Sequence, residues 1–130
     1  MSRTTLGFIF AGMVYLVLGV TIGVLFVVFP ELRPLSTVHA HLNLVGFVVF
    51  LIFGVAYHIL PRFRGRPLHS EPLAWWQFLM ANIGLVGLLV FMSIGAFQPL
   101  GGLNVVYGIF GIILLLSFYF FVYNLARTLI

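Results

Sequence analysis

The chain has 130 residues, 63% of them hydrophobic, only 6% charged, and none of them cysteine. A soluble domain of this size cannot hide so much apolar surface, so lipid replaces water as the solvent, and thiolate metal sites, disulfides and iron–sulfur clusters are excluded. The net charge of +4 comes from arginines at helix ends and in one loop, balanced only by Glu31 and Glu71; membrane topology accounts for that placement, and nucleic-acid binding does not.

Four apolar runs follow one another, at about 6–29, 39–60, 73–96 and 103–126. Each matches the roughly 20 residues that a helix needs to cross a bilayer. The first follows Met-Ser-Arg-Thr-Thr directly; its length and the lack of a clear small-x-small site argue against a cleavable signal segment. Pro30-Glu31-Leu32-Arg33-Pro34 reads as a tight connection, because proline removes backbone donors. The stretch from Pro61 to Pro72 holds Arg62, Arg64, Arg66, His69 and Glu71 and is the one markedly charged segment. Gln98-Pro99-Leu100-Gly101-Gly102 reads as a short turn. Short connections imply antiparallel neighbours. The expectation is an all-α membrane four-helix bundle, up-down-up-down, forming a single domain over 1–130.

Arg3, Arg62, Arg64, Arg66 and Arg127 fall on one side and Arg33 on the other. By the positive-inside rule both termini and the second connection are expected to be cytoplasmic. His39 and His41 then lie near the outer face and His58 near the inner one, with Trp75 and Trp76 as interfacial anchors. Glycines recur on every run. Gly19 and Gly23 form a small-xxx-small pair, which is read as close helix packing or as room for a flat cofactor.

Polar groups inside a span are expensive, so the second run is informative. It reads Val38-His39-Ala40-His41-Leu42-Asn43-Leu44-Val45-Gly46-Phe47. Two positions on a helix are about 200° apart, so the histidines cannot readily chelate one ion together. No thiol or carboxylate lies near them to complete a zinc site. His39 shares a stripe with Asn43, Gly46, Phe50, Gly54 and Tyr57, as an interior or a cofactor wall would. His41 shares a face with Val45, Val48, Ile52, Val55 and Ile59, as a lipid or oligomer surface would. A neutral imidazole suits haem iron. The competing reading is a hydrogen-bonded contact between helices. Met92, on the third run, is expected at the depth of His41 and is a candidate second ligand, although a lone methionine also packs well. A symmetry-related histidine is the other source. His58 lies about 26–29 Å beyond the pair and cannot share their iron; it is either an interfacial histidine or part of a second haem or quinone site. No intramembrane Asp, Glu or Lys is present, so a proton-relay transporter is poorly supported, and no nucleophile–base–acid set exists.

From Val38-His39-Ala40-His41-Leu42-Asn43 through Gly54-Val55-Ala56-Tyr57-His58-Ile59-Leu60-Pro61-Arg62, and on through Gly65-Arg66-Pro67-Leu68-His69-Ser70-Glu71-Pro72 to Asn82-Ile83-Gly84, the sequence resembles the catalytic subunit of haem–copper oxidases. The cbb3-type oxidase and nitric oxide reductase branch is the nearest in pattern. The resemblance covers roughly half the chain. It implies that helix 2 supplies an axial histidine to a low-spin haem; the Val-His pairing favours His39 and a His-x-Asn register favours His41. The large enzymes draw their copper ligands and second low-spin ligand from later helices, which have no counterpart here, so an independent haem–copper enzyme is not expected.

The sequence thus predicts a multi-pass b-type cytochrome of a bacterial or archaeal inner membrane. It would hold haem b through His39 or His41, with Asn43, Gly46, Phe50 and Met92 around it. It is expected to form a homo-oligomer, a dimer first, surrounded by lipid and exchanging electrons with quinol or a respiratory-chain partner. The rival readings are a haem-based nitric oxide or oxygen sensor and a cofactor-free structural or assembly subunit.

Overall fold

The computed structural model describes residues 1–130 as helices joined by short turns, with no strand. Four helices are long and apolar enough to cross a membrane: α1 (Arg3–Val28), α2 (Pro30–Arg64), α3 (Glu71–Gly95) and α4 (Asn104–Leu129). Local chemistry sets their ends. The Ser2 hydroxyl caps α1 by accepting from Thr5 N at 3.2 Å, and the Ser70 hydroxyl caps α3 by accepting from Leu73 N at 3.2 Å. Each removes one orphan donor of a first turn. Glu71 and Pro72 occupy that turn of α3, where negative charge and a missing N–H both suit a helix start.

The prolines do not break α2 where the sequence reading expected breaks. Pro30 opens a 3₁₀ turn, Pro30–Leu35, that runs directly into the α-helical Ser36–His41. At a helix start proline forfeits a donor that has no partner anyway. At the other end Pro61 sits inside the helix, which stops only at Gly65, φ 65°. Gly65 N donates to Arg62 O at 3.0 Å and Arg66 N to Pro61 O at 3.1 Å, so the chain reverses over the helix end. The second span is therefore 35 residues long rather than the expected 39–60. Between its α-helical parts, Leu42–Val49 is wound as a π-helix. Such wide turns are rare and concentrate at functional sites.

Glycines set how closely the helices approach. Ascending positions on α1 meet descending positions on α2: Gly12 lies against Phe50, Gly19 against Asn43 and Gly23 against His39. On α3 and α4, Gly84 lies against Leu114 and Gly87 against Phe110. Toward the arginine-rich end, Phe8 anchors an aromatic core, with ring centroids 5.2 Å from Phe50, 5.4 Å from Phe53 and 5.0 Å from Phe78. Phe53 reaches Phe121 of α4 at 4.2 Å. The helices turn many apolar side chains outward, such as Val24, Ile52, Val105 and Ile112. That is the pattern of a bundle solvated by lipid, whose surface needs no polar cover.

Candidate functional site

The histidines of α2 are held differently. His39 points at α1: its Nδ1 lies 2.8 Å from the Gly19 carbonyl oxygen. A carbonyl only accepts, so Nδ1 carries the proton and Nε2 keeps its lone pair. Asn43, one turn on, donates from Nδ2 to the His39 carbonyl at 2.8 Å. Phe26 closes the ring edge-on, with centroids 5.6 Å apart. A Cβ at Gly23 would lie 2.8 Å from His39 Cε1, and one at Gly19 would lie 2.6 Å from Asn43 Nδ2. The small-xxx-small pair is thus filled by the imidazole and the amide. Close packing is the observed use of these glycines, and they do not leave room for a flat cofactor.

His41 turns away from that seam. Its Nδ1 donates to the Thr37 carbonyl of its own helix at 2.9 Å, in an exposed setting. The same tautomer results, with an Nε2 lone pair. Farther along its face, Val48, Ile52 and Val55 are exposed to the surrounding lipid. Thr37, one turn before His41 on the same side, borders a cavity of about 260 Å³ together with Met92 of α3 and Tyr107 of α4. His41 itself does not border that cavity, and the His39 ring is engaged with α1.

The other predicted site residues lie on the α1 side. Gly46 receives the Tyr15 ring, since a Cβ there would come within 2.7 Å of it. Phe50 is fully buried against Phe8 and Tyr15. His58 borders a separate polar cavity at the arginine-bearing end. No group of three or more His, Cys, Asp or Glu side chains comes together to hold a bare metal ion.

Three polar features were not singled out from the sequence. Tyr15 OH donates to Asn82 Oδ1 at 2.9 Å, joining α1 to α3. Asn124 of α4 accepts from Ser70 N at 3.0 Å and donates to Ser70 O at 2.8 Å, which pins the start of α3. Gln77 is fully buried, and neither end of its amide has a hydrogen-bond partner in the protein. Only the residue types could have signalled these groups, because polar side chains within apolar runs require partners. Which partner each finds depends on contacts tens of residues apart.

The chain is similar to known proteins over this same segment. The family described as cytochrome c and quinol oxidase polypeptide I matches residues 34–100, just over half of the chain. Quinol oxidase subunit 1 of Sulfolobus acidocaldarius is 39% identical over 46 residues, which is 35% of this chain and 9% of that protein. The chain thus spans less than a tenth of the length of that relative. No solved structure matches. The matched segment takes in most of α2, with both histidines and its π-helical turn, and all of α3, with Met92. With four membrane-length helices around that segment, the chain belongs to the cytochrome c and quinol oxidase polypeptide I family.

Proposed function

We propose that this respiratory oxidase subunit I-like membrane protein is a b-type cytochrome that binds haem through His41 of α2. Family membership implies haem as the class of cofactor. One observation carries the choice of residue. The His41 imidazole faces outward from the bundle, with Nδ1 fixed by the Thr37 carbonyl and Nε2 available as a ligand. An imidazole nitrogen left without a partner in lipid is costly, and ligation of Nε2 would remove that cost. His39 has the same tautomer, but Gly19, Gly23 and Phe26 of α1 engage its ring. Its role in this reading is to hold α2 in register on α1.

The fit to a haem is partial and informative. His41 would hold the iron through Nε2, and the cavity bordered by Thr37, one turn before it, offers the Met92 thioether and an apolar Phe91 wall. A second ligand would come from Met92 or from the same histidine of a second copy across a two-fold axis. Bound there, haem would supply a one-electron carrier whose potential is tuned by axial ligands and burial. The chain's own residues fix the imidazole, shape an apolar wall and expose an outer edge to a partner.

The proposal extends to electron exchange with quinol or another respiratory partner in a bacterial or archaeal inner membrane, with both termini cytoplasmic. The affinity to the cbb3-type and nitric oxide reductase branch belongs to it too, on the strength of the His-x-Asn and Tyr-His-x-x-Pro-Arg patterns. Oxygen or nitric oxide reduction is not assigned to this chain. The test is a pyridine haemochrome assay on detergent-purified protein from haem-supplied cells, with oligomer mass from light scattering. About one haem b per chain, or one per dimer, supports the reading. A folded, haem-free protein refutes it and leaves the cofactor-free subunit in front.

A further inference from the structure

At the arginine-bearing end of the bundle, a polar cavity of about 240 Å³ opens between the start of α1 and the end of α2. Thr5, Tyr57, Arg62, Arg66 and Glu71 border it. The helix end accounts for part of this arrangement: Arg62 and Arg64 in the last turn of α2 suit its negative pole. It does not account for Arg66. The left-handed Gly65 folds the chain back, so that Arg66 N bonds to Pro61 O at 3.1 Å and the residue returns to the cavity beside Arg62. Arg66 Nη1 donates to Ile130 O at 3.2 Å, and the remaining guanidinium donors are left for other acceptors.

Tyr57 supplies the second observation. It is only 5% exposed, and its hydroxyl has no hydrogen-bond partner in the protein. Asn124 makes one bond to the Ser70 N–H and one to the Ser70 carbonyl, and none to this hydroxyl. A buried hydroxyl left unpaired is unfavourable, and Tyr57 borders a cavity that it shares with the Arg62 and Arg66 side chains.

The geometry points to a binding site for a phospholipid headgroup. The phosphate sits on Arg62 and Arg66, the Tyr57 hydroxyl donates to a phosphate oxygen from the cavity floor, and Glu71 takes a headgroup ammonium. Two guanidinium forks match phosphate oxygens bidentately. Glu71 would repel a purely anionic ligand, so the carboxylate selects a zwitterionic headgroup such as phosphatidylethanolamine. Free phosphate shares the phosphate chemistry but offers nothing to Glu71. The depth also suits a lipid: Trp75 and Trp76, one turn into α3, are 41% and 61% exposed, as interfacial anchors are.

The test titrates the delipidated full-length chain, in non-ionic detergent, with short-chain phosphatidylethanolamine, short-chain phosphatidylglycerol and inorganic phosphate, reading adducts by native mass spectrometry. One phosphatidylethanolamine is expected per chain. The Arg62→Gln, Arg66→Gln double variant should bind it at least tenfold more weakly and Tyr57→Phe about threefold more weakly. Arg64→Gln, an exposed residue outside the cavity, should leave it unchanged. Glu71→Gln should remove the preference over phosphatidylglycerol. Circular dichroism establishes that each variant is folded; if the double variant is not, Arg62→Gln alone carries the test. Equal weakening by Arg64→Gln would reduce the effect to general charge and overturn the site. Inorganic phosphate binding as tightly as the lipid would overturn the lipid as ligand.

Discussion

Glycines notch both the α1–α2 seam and the α3–α4 seam, but the notches receive different side chains. On α1, Gly19 and Gly23 admit the Asn43 amide and the His39 imidazole. On α3, Gly84 and Gly87 admit Leu114 and the Phe110 ring. In lipid, small residues and apolar packing suffice to join two helices, as α3 and α4 do along these notches. Polar groups at the α1–α2 seam are therefore not needed for association alone. Their presence sets this seam apart, next to the π-helical turn and His41, and the proposed haem site draws on that half of the bundle.

Four substitutions sharpen or break that comparison. Gly84→Ala should have the largest effect, because the added Cβ would lie 2.6 Å from the Leu114 backbone nitrogen, which no rotamer can relieve. A loss of about 3 kcal/mol is expected, at the top of the overpacking range, read from unfolding in mixed detergent–dodecyl sulfate micelles. Gly19→Ala meets only the Asn43 side chain and should cost about 1 kcal/mol by the same assay; a cost equal to that of Gly84→Ala would erase the distinction between the seams. His39→Ala removes the bond to the Gly19 carbonyl, and about 1 kcal/mol is expected, within the range for polar contacts between membrane helices. That variant should keep its haem. Tyr15→Phe deletes the bond to Asn82 and should cost the least, about 0.6 kcal/mol; a loss several times larger would place a key polar contact of the bundle at α1–α3 instead.

The number of spans was legible in the sequence because apolar runs of more than 20 residues have few other fates. So was the inward stripe of α2: His39, Asn43, Gly46, Phe50, Gly54 and Tyr57 all turn toward α1 or the core. Helical periodicity alone separated that stripe from the outward face of His41. The start of α2 was misread because the penalty for proline inside a helix was applied at Pro30, where the helix is only beginning and no donor is lost. At the other end α2 continues through Pro61 to Arg64 despite that penalty. The π-helical Leu42–Val49 leaves no compositional trace, because a change in hydrogen-bond spacing needs no special residue. The clip between Asn124 and Ser70 joins residues 54 positions apart, and only the packing of α4 on α3 discloses it. Both histidines were evident as site candidates, and the wheel placed them on opposite faces. The carbonyl that each ring meets, Gly19 for His39 and Thr37 for His41, was not legible.

The central claim is that His41 ligates haem while His39 braces α1 against α2. The most direct measurement is the reduced-minus-oxidised absorption spectrum of the purified wild type, His39→Ala and His41→Ala proteins, each from haem-supplied cells and each shown to be helical. The account predicts a sharp b-type α-band in the wild type, kept in His39→Ala and lost in His41→Ala. A band lost in His39→Ala but kept in His41→Ala would contradict it and exchange the roles of the two residues.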